Sequence, residues 1–70
     1  MRTNLKLLRV KNYYTQKEMA VRLGCSRPTY SMIERGERSG NSDFWRAVQV
    51  AFGVPDSEMY KLMKLDEREK

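Results

Sequence analysis

The chain has 70 residues, with 14 Lys or Arg against 9 Asp or Glu and a formal net charge of +5, enough for one domain with a small core that depends on efficient packing or a partner. One Cys and no His exclude an intramolecular disulfide and a Cys/His zinc cluster. Without a histidine, a nucleophile pair or clustered carboxylates, no enzyme activity, metal or cofactor is expected.

The first helix is expected over residues 3–11, with Leu5 and Leu8 facing inward and Val10 as a third candidate. Lys6, Arg9 and Lys11 break the apolar run after Met1, so no secretory signal is expected. No stretch reaches the length of a membrane span, and the expected location is the cytoplasm. Asn12, Tyr13 and Tyr14 form a linker, and neither tyrosine is assigned a ligand.

The second helix is expected over residues 16–23, opened by a capping box in which Thr15 and Glu18 satisfy each other's backbone N–H. A third follows over residues 27–35, with Ser26 as its cap, Pro28 in its first turn and Gly36 at its end. Gly36 to Asn41 reads as a polar loop. Ser42 or Asn41 then caps a fourth helix over residues 43–52, which Gly53 and Pro55 stop. Its residues Phe44, Trp45, Val48, Ala51 and Phe52 should supply most of the core. A fifth helix is expected over residues 56–65, with Met59, Leu62 and Met63 on one face, and the charged residues 66–70 are expected to fray. The fold class is all-α.

Charge is unevenly placed. Residues 1–38 carry nine Lys/Arg and three Asp/Glu, whereas residues 39–70 carry five and six. The basic half suits a polyanion and the near-neutral half suits something else. Lys11, Lys17 and Arg22 read equally well as solvated charges.

Residues 16–35 combine three constraints. Ala20 is small where two helices must cross, Gly24 lies where the chain must turn, and Met19, Leu23, Cys25, Tyr30 and Ile33 fall on inward positions. A helix-turn-helix needs all three, because its short helices pack steeply around a tight turn. Cys25 reads as a small core hydrophobe.

These residues resemble the helix-turn-helix family of lambda repressor, Cro and Xre-like regulators. The resemblance rests on Thr15-Gln16, Glu18, Ala20, Gly24, Ser26 and Ile33-Glu34-Arg35-Gly36. It continues through Ala47, Ala51, Phe52-Gly53-Val54 and Glu58-Met59, and covers about Leu5 to Met63. It implies a five-helix lambda-repressor-like domain that binds double-stranded DNA, with helix three in the major groove.

It further implies that the first, second and sixth residues of helix three, here Arg27, Pro28 and Met32, reach base edges. On a helical wheel with Tyr30 and Ile33 inward, Pro28 and Met32 point most directly outward. Arg35 lies near them, and Arg27 and Ser31 flank them. Arg27 can donate two bonds to guanine, whereas Pro28 and Met32 can only touch thymine methyls; Ser31 completes the candidate base-reading set. Gln16 at the start of helix two, Thr29, Arg35 and Arg38 are the candidate phosphate contacts. Family members often pair the glutamate at Glu34 with an arginine on helix one, and Arg9 matches that position.

One recognition helix covers few base pairs, so a homodimer on a palindromic operator is expected, with Tyr60, Met63 and Leu65 as its contacts. The alternative is an antirepressor or antitoxin-like module whose partner is another regulator protein. Apolar Pro28 and Met32, where family readers are often polar, keep that alternative open.

Overall fold

The computed structural model describes residues 1–66 and contains five helices: α1 Thr3–Lys11, α2 Gln16–Leu23, α3 Arg27–Arg35, α4 Ser42–Phe52 and α5 Asp56–Met63. Among the described residues there is no strand, and no helix is long and apolar enough to cross a membrane. The expected all-α fold is therefore observed. The predicted fraying of residues 67–70 lies outside the described residues.

Local chemistry sets most helix ends. At α2, Thr15 Oγ1 accepts from Glu18 N at 3.1 Å while Glu18 Oε1 accepts from Thr15 N at 2.9 Å. Gly24, at φ 76°, closes α2 in the left-handed conformation that a residue with a Cβ adopts at a penalty. Ser26 caps α3, its Oγ accepting from Thr29 N. Asn41, rather than Ser42, caps α4, accepting from Phe44 N at 2.8 Å, so α4 starts at Ser42, one residue earlier than expected.

α2 packs most extensively against α3, α1 lies on α3 and α5, and α4 lies on α2 and α5. Between them are buried Leu5 of α1, Met19, Ala20 and Leu23 of α2, Tyr30 and Ile33 of α3, Phe44, Trp45 and Val48 of α4, and Leu62 of α5. A side chain as enclosed as Leu5 contributes roughly 1.5–3 kcal/mol by leaving water. Ala51 and Phe52 pack partly against this core, as do Leu8, Cys25 and Met59. Burial pushes the Cys25 thiol above its ordinary pKa, which suits packing rather than reactivity.

Three expectations need correcting. Val10 is exposed; five residues beyond Leu5 it has turned about 140° from the buried stripe. α5 ends at Met63, not Leu65, and Met63 itself is exposed. Arg2 Nε donates at 2.8 Å to the Met63 carbonyl, an acceptor that a continuing helix would use, and Lys64 is extended. Asp66 does not fray. Its carboxylate accepts from Thr3 N at 3.1 Å and from the Thr3 hydroxyl, and its own N–H donates to Met1 O at 2.8 Å. The bonds from Thr3 hold the Asp66 carboxyl below its usual pKa. Asp66 thus caps α1 from the far end of the described chain, where Arg2 offers no side-chain cap.

Candidate nucleic-acid interface

The recognition helix is held by a buried carboxylate. Glu34, on the last turn of α3, is 2% exposed, and Arg9 of α1, 12% exposed, reaches it with Nε at 2.9 Å from Oε2. Tyr30 Oη donates to the same oxygen at 2.6 Å, and Gln16 Nε2 donates to Oε1 at 3.0 Å. Arg9 also donates from Nη1 to Tyr14 O at 2.9 Å. One carboxylate therefore joins α1, the start of α2 and α3, and all three donors are satisfied by it.

The electrostatics follow from this geometry. Burial pushes the Glu34 carboxyl upward, but the bonds from Arg9, Tyr30 and Gln16 and the Arg9 charge outweigh it, leaving a pKa below the ordinary value. The bond to Glu34 raises Arg9, while burial and then Glu34 push the Tyr30 phenol well up. The carboxylate is neutralised internally, so α3 presents no free acid from this position.

The candidate base readers differ in presentation. Arg27 and Pro28 are exposed at the start of α3, whereas Ser31 and Met32 are half-buried. Met32 is less outward than the wheel implies, because the chain after Gly36 folds back and both Glu37 N and Arg38 N donate to its carbonyl.

The candidate phosphate contacts also divide. Gln16 is half-buried with its amide on Glu34, which leaves its second N–H and the first backbone N–H groups of α2 for an anion. Thr29 is half-buried and its hydroxyl accepts from Ser26 Oγ at 2.9 Å. Arg35 is exposed and pairs with Glu37 at 3.2 Å. Arg38 is exposed on the loop between α3 and α4.

That loop is fixed by a residue that sequence reasoning missed. Arg2 is 6% exposed, and its Nη1 donates to Ile33 O at 2.6 Å and to Arg38 O at 3.0 Å. Its guanidinium lies 5.5 Å from the centre of the Trp45 ring, and its backbone N–H donates to Glu34 O at 2.8 Å. Trp45 Nε1 donates to Ser39 O at 3.1 Å. Arg2 and Trp45 thereby hold consecutive carbonyls of the segment that carries Arg38. No local signal marks Arg2, since its partners lie more than 30 positions away.

Tyr60 and Met63 of α5 and Leu65 just beyond it are exposed, and Leu65 lies with Met1 beside Gly36. No group of acidic or sulfur ligands among the described residues could hold a metal ion.

A profile of the helix-turn-helix family matches residues 5–59, which spans all of α2, α3 and α4 and most of the chain. No curated protein and no solved structure matches the chain.

Proposed function

The chain belongs to the helix-turn-helix family, in its lambda-repressor-like form, and from that premise we propose that it is a compact repressor or Cro-like switch protein that binds a palindromic DNA operator. The coarser statement, a DNA-binding regulator of transcription, follows from the family. The observation that best supports the finer reading is the Glu34 cluster, which fixes α3 against α1 and α2 while cancelling the only carboxylate within α3 itself, a charge that would otherwise repel phosphate.

In this reading Arg27 reads a guanine, with Pro28, Ser31 and Met32 shaping contacts around it. Gln16, Thr29, Arg35 and Arg38 position the domain on phosphates, which supply affinity without sequence preference. A homodimer through Tyr60, Met63 and Leu65 places two recognition helices on successive half-sites. The activity belongs in the cytoplasm.

Selection from a random duplex pool, followed by footprinting, tests this directly. Arg27→Ala should cost about 1–3 kcal/mol on the selected site and relax one base position. Arg38→Ala should weaken all duplexes alike and lower the salt slope by about 1. If wild type and Arg27→Ala rank single-base variants identically, Arg27 is not a base reader. Sedimentation showing one copy, both free and on a full palindrome, would sink the dimer. Exposed, apolar Pro28 supports a second reading, an antirepressor or antitoxin-like module; tight binding to another regulator without DNA binding would establish it.

A further inference from the structure

Four helices close in the same way. In α2, α3 and α4 the bonds Cys25 N to Ala20 O at 3.0 Å, Glu37 N to Met32 O at 2.8 Å and Val54 N to Gln49 O at 3.1 Å span the turn. The left-handed residue in each is a glycine: Gly24, Gly36 or Gly53. α1 makes the equivalent bond, Tyr14 N to Arg9 O at 3.1 Å, but its left-handed residue is Tyr13, at φ 64°. Among the described residues Tyr13 alone has positive φ without being glycine.

A Cβ in this conformation crowds the neighbouring carbonyl, which glycine avoids. Packing does not compensate for it. Tyr13 is 92% exposed, whereas the adjacent Tyr14 stands edge-on to Phe52 with ring centres 5.9 Å apart. The conformation is instead held by backbone bonds on both sides, Tyr13 N donating to Val10 O at 2.9 Å and Tyr14 N to Arg9 O, which present the side chain to solvent. Backbone strain over-determined in this way clusters at functional sites.

The surroundings indicate what is bound. Residues 1–17 hold Arg2, Lys6, Arg9, Lys11 and Lys17 and no acid. The first carboxylate along the chain, Glu18, is occupied by Thr15 N. Lys11 and Lys17, on either side of the linker, are exposed. The linker is also registered to the recognition helix, because Arg9 bonds Tyr14 O with one nitrogen and Glu34 with another. Tyr13 therefore sits a fixed three residues before Gln16, at the start of α2.

We propose that Tyr13 is a further DNA-backbone contact, its phenol donating to a phosphate oxygen at the margin of the site. Lys11 and Lys17 supply the positive field that draws that phosphate in. This contact rests on the DNA-binding reading above.

The test compares wild type, Tyr13→Gly and Tyr13→Phe by fluorescence anisotropy. The probes are the duplex that wild type selects from a random pool and a mixed-sequence duplex of about 20 base pairs, enough for two half-sites. Tyr13→Gly should weaken binding to both duplexes about five- to tenfold, the loss of one phosphate hydrogen bond. Its salt slope should not change, because a neutral donor releases no counterion. Its melting temperature should stay level or rise, since glycine relieves the strain, so lost binding cannot be blamed on misfolding. Tyr13→Phe should lose as much affinity as Tyr13→Gly. Equal affinities for wild type and Tyr13→Gly would overturn the contact while leaving the DNA-binding reading intact. Unchanged DNA binding with altered self-association would assign Tyr13 to a protein interface and also overturn it. Wild type failing to bind any duplex would sink both.

Discussion

Arg9→Ala removes the only charged donor from a carboxylate that the fold keeps out of water. The two side chains are 12% and 2% exposed and 2.9 Å apart. Removing one partner of a buried pair costs about 3–5 kcal/mol, because the other charge is left uncompensated. Tyr30 and Gln16 still donate to Glu34 in this variant, which favours the lower end, about 3 kcal/mol. A domain of this size loses about 4–8 °C of melting temperature per kcal/mol, so the drop should be about 12–24 °C. Lys11→Ala, exposed at the end of the same helix, should stay within about 0.5 kcal/mol of wild type. Urea titrations followed by far-ultraviolet circular dichroism give both values from the shift in midpoint at constant slope. The double variant Arg9→Ala with Glu34→Gln removes the stranded charge while keeping an amide oxygen for Tyr30 and an NH2 whose bond the Gln16 amide can accept after turning over, and should recover a large part of the loss. Equal, small shifts for Arg9→Ala and Lys11→Ala would refute the reasoning, as would a double variant no more stable than Arg9→Ala.

The same carboxylate predicts a pH dependence. Because the folded-state pKa of Glu34 lies below its unfolded value, its stabilisation is present above the unfolded pKa of about 4.3 and is lost as pH falls through the folded value. Urea midpoints measured downward from about pH 6 should therefore fall below about pH 4.3, and the fall should be shallower in Glu34→Gln. Arg2→Ala should destabilise by about 2–4 kcal/mol, since the carbonyls of Ile33, Arg38 and Met63 all lose a charged donor. Arg2→Lys should restore little of it in a thermal melt, because an ammonium cannot reproduce the planar fork.

Legibility in the sequence divides by range. The capping box of α2, the Ser26 cap and the glycine ends of α2, α3 and α4 are local, and each appears where its residues imply. The inward positions of the helix-turn-helix were equally readable, because a 3.6-residue period fixes them without reference to the rest of the chain. Arg2 and Asp66 escaped for the opposite reason. Neither has a nearby partner, and a charged residue near the end of a chain reads by default as solvated. Tyr13 and Tyr14 look equivalent in sequence; only the left-handed turn between α1 and α2 sends one to solvent and the other onto Phe52. At the candidate interface, the identity of Arg27 and Arg38 was readable, but the fixing of the Arg38 loop by Arg2 and Trp45 was not.

Trp45 gives this arrangement an optical consequence. It is the only tryptophan in the chain, and its indole is enclosed between the guanidinium of Arg2 and the carbonyl of Ser39. Its emission therefore reports on one loop, the segment bearing Arg38, as well as on the folded state. Opening of that loop would expose the indole to water and shift its emission to the red while the helices stayed intact. A titration read by this emission and by far-ultraviolet circular dichroism together, without any attached dye, separates movement of the loop from loss of the fold.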